Sequence, residues 1–299
     1  MIISLNPATD ETLARFEPHG GAEIEQRLEQ ASQAQAGWAR TPVAERMAVL
    51  RQVAAVLRAR KHELGRTITL EMGKPLAEAV GEVEKCAWNF EFYADSAPGF
   101  LQDQVVASGA TDSRIVFDPL GLVLAVMPWN SPLWQVMRAA APVLAGGNGL
   151  VLKHASNVPQ CALAIEQVFT EAGVPAGLCP TLLVGAAAVP ALIADRRIAA
   201  VTFTGSTPAG RSIAAAAGQA LKKQVLELGG SDPFIVLADA DVATAATVGV
   251  KARFQNTGQS CIAAKRFIVE EKVADEFEQR FAAAVAALKV GNPMDRSNQ

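Results

Sequence analysis

The chain has 299 residues, enough for about two domains at ~150 residues per domain. Half of the residues are apolar and 19% are charged, so the chain can bury a large core and is not expected to be disordered. The 27 basic and 30 acidic residues give a net charge of -3, so no positive excess favours a nucleic acid or an anionic membrane as partner.

The N-terminal third is predicted to be helical. Two groups of apolar residues recur there at helical spacing: Ile24, Leu28, Ala31 and Trp38, and then Met47, Leu50, Val53, Ala54 and Leu57. Residues 1–10 show no basic stretch followed by an apolar run, so no secretion signal is expected. Residues 101–118 are predicted to be irregular, with a strand-like end at 114–117.

From residue 120 onward, short apolar runs alternate with helical segments. This alternation predicts right-handed βαβ units and a parallel sheet. The predicted strands are 122–127, 149–153, 181–184, 199–203 and 224–228, and the helices between them are 133–144, 159–172, 188–194 and 208–217. A second α/β stretch follows, with strands at 234–237 and 265–269 and helices at 241–253 and 273–288.

The cysteines and histidines predict neither a disulfide framework nor a metal site. Cys86, Cys161, Cys179 and Cys261 stand 75, 18 and 82 residues apart, and the three histidines are isolated. No stretch reaches the ~20 apolar residues that a membrane helix needs. Together with the few cysteines, this predicts a cytoplasmic, reducing environment.

The loop 254–261 is a candidate nucleophile site. It is polar, contains Gly258 and ends in Cys261 just before a turn of small residues. A nucleophilic cysteine needs access and thiolate character rather than apolar surroundings. The alternative for Cys261 is a small buried hydrophobe, which is the usual role of cysteine and the one expected for the other three.

Glu227 is a candidate general base. It ends an apolar strand and precedes Leu228 and two glycines, so its neighbours in sequence solvate it poorly. Desolvation raises the pKa of a carboxyl group toward the range useful for a base. The alternative is a strand-end glutamate exposed to water.

Two further turns follow predicted strands. In the first, Gly205 and Ser206 lead into a helix whose free N–H groups could bind a phosphate. The segment resembles a P-loop with Arg211 at the lysine position, so nucleotide hydrolysis is not expected. In the second, residues 128–132, the Asn130 amide could donate to an oxyanion at the carboxyl edge of a sheet. Plain turns are the alternative for both.

Five motifs in this order closely resemble the aldehyde dehydrogenase superfamily. They are Pro128-Trp129-Asn130, Lys153-His154-Ala155-Ser156, Phe203-Thr204-Gly205-Ser206-Thr207, Leu226-Glu227-Leu228-Gly229-Gly230 and Gly258-Gln259-Ser260-Cys261. Residues 70–75 and 228–237 are similar to the succinate-semialdehyde dehydrogenase branch. The resemblance implies an α/β fold with a Rossmann-like sheet. It places a helical part and the NAD(P)-binding domain in residues 1–225 and the start of a catalytic domain in 226–299.

The resemblance also implies a role for each matched position. Cys261 attacks the aldehyde, Asn130 and the Cys261 N–H hold the oxyanion, hydride passes to NAD or NADP, and Glu227 activates the water that releases the acid. The residues expected along the cofactor are Trp129, Lys153, Ser156, Gly205, Ser206 and Leu228. Full-length relatives are expected to be homo-oligomers.

Two positions give sharper expectations within the family. Ser156 stands where members that prefer NAD often carry a glutamate, so NADP is expected to be accepted. Arg138 matches the arginine with which semialdehyde members bind a distal carboxylate, and a single arginine can do so through a bidentate bond. The alternative for Arg138 is an ordinary arginine on a helix surface.

Family members run to roughly 450–500 residues, about three domains' worth of chain. We therefore expect a fragment that lacks the rest of the catalytic domain. A different possibility is a remnant without activity that only binds nucleotide.

Overall fold

A computed structural model describes residues 1–298. The strands are β1 (Ile2–Leu5), β2 (Thr12–Phe16), β3 (Gln104–Val105), β4 (Arg114–Ile115), β5 (Leu122–Val126), β6 (Gly149–Lys153), β7 (Ile198–Thr204), β8 (Lys223–Glu227), β9 (Asp232–Val236) and β10 (Ala264–Val269). The helices are α1 (Gly21–Trp38), α2 (Val43–Ala59), α3 (Lys61–Met72), α4 (Leu76–Phe100), α5 (Pro132–Ala145), α6 (Pro159–Glu171), α7 (Val189–Ala194), α8 (Thr207–Gln219), α9 (Val242–Phe254) and α10 (Glu271–Ala286).

A four-stranded parallel sheet forms the centre of the fold. Its strand order is β6-β5-β7-β8, so the predicted α/β fold with a parallel sheet is confirmed. The predicted strand at 181–184 is wrong, because only Thr181 forms a bridge, to Leu152 of β6. Pro180, which has no N–H to donate, precedes that bridge, and Val184 N bonds Leu182 O within the segment.

Helices cover both faces of the sheet. The alternating residues of strand β5 show why, because they supply apolar side chains to both faces. Its alternate residues point to opposite faces. Val123 and Ala125 join a core built mainly on α2–α6, whereas Leu122, Leu124 and Val126 join a second core with α1, α7 and α8. All five residues of β5 are buried, as expected for a central parallel strand.

The N-terminal part differs from the all-helical prediction. Residues 2–16 form an antiparallel pair, β1 with β2, before the helices begin. The predicted apolar faces of α1 and α2 are buried, with Trp38 and Leu50 almost inaccessible. Helix α3 ends at Met72 because Gly73 takes a left-handed conformation, with φ 88°. Among residues 1–298, no helix combines the length and apolarity required to cross a membrane.

A smaller unit follows β8. Strands β9 and β10 pair in parallel, and helices α9 and α10 cover one face. The small core there is aromatic, with Phe267 contacting Phe234, Phe277 and Phe281. The strands also carry the exposed apolar residues Ile235 and Ile268, and edge strand β8 leaves Val225 61% exposed. Apolar surface is therefore uncovered in the described part of the chain.

Candidate active site

The carboxyl edge of the sheet brings most of the predicted site residues together. The four strands are parallel, and their ends match in register: Val126 pairs with Lys153 and with Phe203, and Thr204 pairs with Glu227. The segments after β5 and β7 therefore leave the same edge. Strand β5 precedes both of its neighbours in sequence, so this edge holds the topological switch point at which open α/β sheets bind ligands.

Two cavities meet at this edge. The larger, about 460 Å³, is lined by Cys261, Asn130, Glu227 and Arg138, among others. The smaller, about 400 Å³, is lined by the cofactor candidates Trp129, Gly205, Ser206 and Leu228. The two share Asn130, Gln135, Thr204, Ser260 and Cys261. A reacting group at Cys261 would thus be accessible from both sides.

Cys261 is the only one of the four cysteines that is not buried. Burial raises the pKa of the Cys179 thiol to about 12 and raises the pKa of the Cys86 and Cys161 thiols well above the usual range. Those three thiols therefore stay protonated and inert. Cys261 is instead half-buried and lines both cavities, so a ligand could reach its thiol.

Reciprocal amide bonds tie the Cys261 loop to the loop after β5. Asn130 Nδ2 donates to Gln259 O at 2.8 Å, and Asn256 Nδ2 donates to Asn130 O at 2.8 Å. Asn256 and Thr257 both have left-handed φ values, 56° and 54°. For a β-branched residue such as Thr257 this conformation is strained, and such strain is typical of functional sites.

Glu227 differs from the expectation of a poorly solvated carboxylate. Its side chain is 49% exposed, because β8 is the edge strand of the sheet and no described segment pairs with its outer side. The desolvation argument for this base is therefore wrong for the described structure. Its partner is instead Arg138, whose Nη1 lies 3.4 Å from Glu227 Oε2.

Arg138 lies in the wall of the larger cavity rather than on an open helix surface. It lies on α5, the helix that follows the Asn130 loop, and its Nη2 donates to Thr204 Oγ1 at 3.2 Å. Its side chain is 33% exposed. The position suits a cation that meets a ligand entering this cavity.

The smaller cavity has the features of a phosphate site. Ser206 caps α8, its Oγ accepting the N–H of Ala209 at 3.4 Å, and the helix N-terminus is exposed at the cavity. One turn later, a Cβ on Gly210 would stand 2.5 Å from Leu228 Cδ2, so α8 packs closely against the residue that follows β8, and a larger side chain at 210 would require Leu228 to move. Free N–H groups and a helix dipole favour an anion there.

Lys153 and Ser156 lie outside both cavities. Lys153 is buried at the end of β6, where burial lowers the pKa of its amine, and Ser156 is exposed three residues later. Both remain on the carboxyl edge, one strand beyond β5. The structure thus brings eight of the ten predicted site residues to the two cavities and leaves these two beside them.

The sequence does not reveal a buried ion pair, Lys74 with Glu82, in the wall of the larger cavity. Glu82 Oε1 accepts the N–H groups of Leu133 and Trp134 at 2.9 and 2.8 Å, while its Oε2 pairs with Lys74. Helix α5 has no side-chain cap of its own, so Glu82 from α4 satisfies its first turn. In the sequence, residues 70–75 show only a similarity to the succinate-semialdehyde dehydrogenase branch. Nothing in their spacing showed that Lys74 reaches this carboxylate.

Replacing Glu82 by alanine is expected to lower the free energy of unfolding by about 3 kcal/mol or more, because it strands a buried ammonium group. Glu84→Ala, two residues along the same helix, is the matched control, since Glu84 is 37% exposed and forms only partly buried pairs with Arg58 and Lys61. Its loss should cost about 1 kcal/mol or less. Urea unfolding measures both, and equal losses would contradict the capping role.

Comparison with known proteins decides the family. The profile of the aldehyde dehydrogenase family matches residues 1–299. The chain belongs to the aldehyde dehydrogenase family. A probable succinate-semialdehyde dehydrogenase [NADP(+)] of Synechocystis sp. is 53% identical over 98% of the chain, and a succinate semialdehyde dehydrogenase [NAD(P)+] of Escherichia coli is 50% identical over 99%. The chain spans 64% of the length of each.

The solved structures agree with this assignment. A succinic semialdehyde dehydrogenase from Streptococcus pyogenes, in complex with NADP+, matches the whole chain with a TM-score of 0.97 at 38% identity, and the match covers 66% of that protein. The family resemblance predicted from the five motifs is confirmed, as is the aldehyde-dehydrogenase type of α/β fold. The roles of the individual residues stay predictions.

Proposed function

We propose that the protein oxidises an aldehyde that carries a distal carboxylate, succinate semialdehyde in particular, to the acid with NADP or NAD. The observation that carries this proposal is the position of Cys261, half-buried where the cavity with Asn130 and Glu227 meets the cavity at the α8 N-terminus. The similar Synechocystis and Escherichia coli proteins, a probable succinate-semialdehyde dehydrogenase [NADP(+)] and a succinate semialdehyde dehydrogenase [NAD(P)+], support the substrate and the cofactors.

In the first step, the Cys261 sulfur attacks the carbonyl carbon and forms a thiohemiacetal. The carbonyl oxygen gains negative charge, so it needs donors. Asn130 Nδ2 and the Cys261 backbone N–H supply them, and Asn130 must then exchange its bond to Gln259 O for one to the substrate. When bound, the nicotinamide ring would accept the hydride that the thiohemiacetal carbon loses. That carbon would then be the carbonyl carbon of a thioester on Cys261.

In the second step, Glu227 accepts a proton from a water molecule as the water oxygen attacks the thioester carbon. The carbon–sulfur bond breaks, the acid leaves and Cys261 recovers its thiolate. Glu227 lines the same cavity as Cys261, and its half-exposed carboxylate has access to water.

The described residues suit a dinucleotide. Gly205 and Ser206 would hold its pyrophosphate at the α8 N-terminus, and Trp129 and Leu228 would border the nicotinamide end. Lys153 and Ser156 would face the adenosine ribose one strand away. We also keep as predictions a cytoplasmic location and a homo-oligomeric full-length enzyme.

Ser156 gives a test of cofactor choice. In Ser156→Glu, a carboxylate would stand near the 2′-phosphate of NADP, and repulsion between close like charges should weaken NADP binding by about tenfold or more relative to NAD. Ser156→Gln, of the same size without charge, should change the ratio little. The affinities for both cofactors, measured by fluorescence titration, check this. An unchanged ratio in Ser156→Glu would place Ser156 away from the ribose.

The proposed activity is tested by mixing the chain with NADP and succinate semialdehyde and following the absorbance of the reduced cofactor. We expect turnover, faster than with butanal at equal concentration. Thermal shift with NADP or NAD tests binding alone. Stabilisation without any turnover would favour a nucleotide-binding remnant over the enzyme.

A further inference from the structure

Arg138 and the proposed general base Glu227 both line the larger cavity. Its Nη1 is 3.4 Å from Glu227 Oε2, at ion-pair distance. Within residues 1–298 its one hydrogen bond goes from Nη2 to Thr204 Oγ1, at 3.2 Å. The carboxylate of Glu227 is therefore held by charge alone, and most of the donor capacity of the guanidinium is unused.

The other cations of the larger cavity are placed differently. Lys74 is buried and paired with Glu82, which also caps α5. The Lys85 ammonium lies 3.9 Å from the centre of the Trp134 ring. Of these three cations, only Arg138 contacts Glu227, the carboxylate that must be free to act as a base in the proposed reaction.

We propose that the distal carboxylate of the substrate and the carboxylate of Glu227 compete for Arg138. Binding of a carboxylated aldehyde then releases Glu227 to accept a proton from water. An uncharged aldehyde leaves the Arg138–Glu227 pair in place. This inference rests on the proposed function, and it makes recognition of the substrate's far end a condition for fast release of the acid.

The geometry favours the exchange. The pair is partly exposed at both ends, 33% and 49%, and such pairs are weak. An incoming carboxylate can form two charge-assisted hydrogen bonds with the free edge of a guanidinium, a stronger arrangement than the contact that it replaces. The coupling is reciprocal. The free energy by which bound substrate weakens the Arg138–Glu227 pair equals the free energy by which Glu227 weakens substrate binding.

The competition is tested with succinate, a dicarboxylate without an aldehyde, titrated into the chain by calorimetry. Glu227→Gln removes the competing charge and should tighten succinate binding about two- to fivefold, the range expected for a partly exposed ion pair. Arg138→Met should weaken it by more than tenfold. Combined with Arg138→Met, Glu227→Gln should have no further effect on affinity.

Lys85→Met is the matched control, because it removes a cation from the same cavity that has no contact with Glu227. In that background, Glu227→Gln should still tighten succinate binding to the same extent. The proposal is overturned if Glu227→Gln leaves succinate affinity unchanged or lowers it, or if succinate does not bind the unmodified chain. Circular dichroism of each variant shows whether it has folded.

Turnover separates this proposal from the proposed function. Arg138→Met should slow the oxidation of succinate semialdehyde but speed acid release from butanal, because Glu227 is no longer held. Loss of both rates would overturn the release role. Should the unmodified chain bind succinate with the predicted coupling yet oxidise no aldehyde, the proposed function fails while the competition for Arg138 stands.

Discussion

Cys261→Ser is expected to lower aldehyde oxidation by about a thousandfold or more, because a hydroxyl is a far weaker nucleophile than a thiolate and no other accessible thiol lines the cavities. The residues proposed to hold the pyrophosphate, Gly205 and Ser206, are unchanged, and serine differs from cysteine by one atom. The thermal shift produced by NADP should therefore remain. Loss of turnover with retained binding would identify Cys261 as the nucleophile rather than as a structural residue.

Alkylation tests the same residue without turnover. Iodoacetamide should label one thiol quickly in the native chain and none quickly in Cys261→Ser, since the other three thiols are buried and protonated. Cys179→Ala is the control, because it removes a buried thiol outside both cavities and should leave the fast labelling intact. Fast labelling that persists in Cys261→Ser would contradict the assignment.

The alternation of apolar runs and helical segments was enough to predict the central sheet. The observed strands and helices lie within about two residues of the predicted ones from 122 to 286, except at 181–184, since a fully buried parallel sheet produces strong local patterns. The pair β1 and β2 was missed because its residues are mostly half-exposed or exposed and form no sustained apolar run.

In the site, too, features with a local sequence pattern are predictable and features that depend on the fold are not. The Cys261 loop is predictable because it is polar, contains Gly258 and ends in a cysteine with polar neighbours, and the turn at Ser206 because glycine and serine directly follow an apolar strand and mark a ligand edge. The surroundings of Glu227 were predicted incorrectly, because its exposure depends on β8 lying at the sheet edge, which only the fold decides. The Glu82–Lys74 pair and the contact of Arg138 with Glu227 depend on side chains meeting across elements, which no spacing along the chain reveals.

Glu227→Gln is expected to separate the two steps of the proposed reaction. An amide cannot accept the proton from water, so the thioester should form on Cys261 but hydrolyse about a hundredfold to ten-thousandfold more slowly. On mixing with NADP and succinate semialdehyde, the variant should release one equivalent of reduced cofactor per chain and then nearly stop. Mass spectrometry should find the acyl group on Cys261.

Glu276→Gln on α10 is the matched control. Glu276 is 54% exposed and pairs with an arginine, as the 49% exposed Glu227 does, but it lies outside both cavities. Its steady-state rate should stay within about twofold of the unmodified chain, since exposed pairs contribute little. If Glu227→Gln instead abolished the initial release of reduced cofactor, Glu227 would be needed before the thioester forms, for example to deprotonate Cys261.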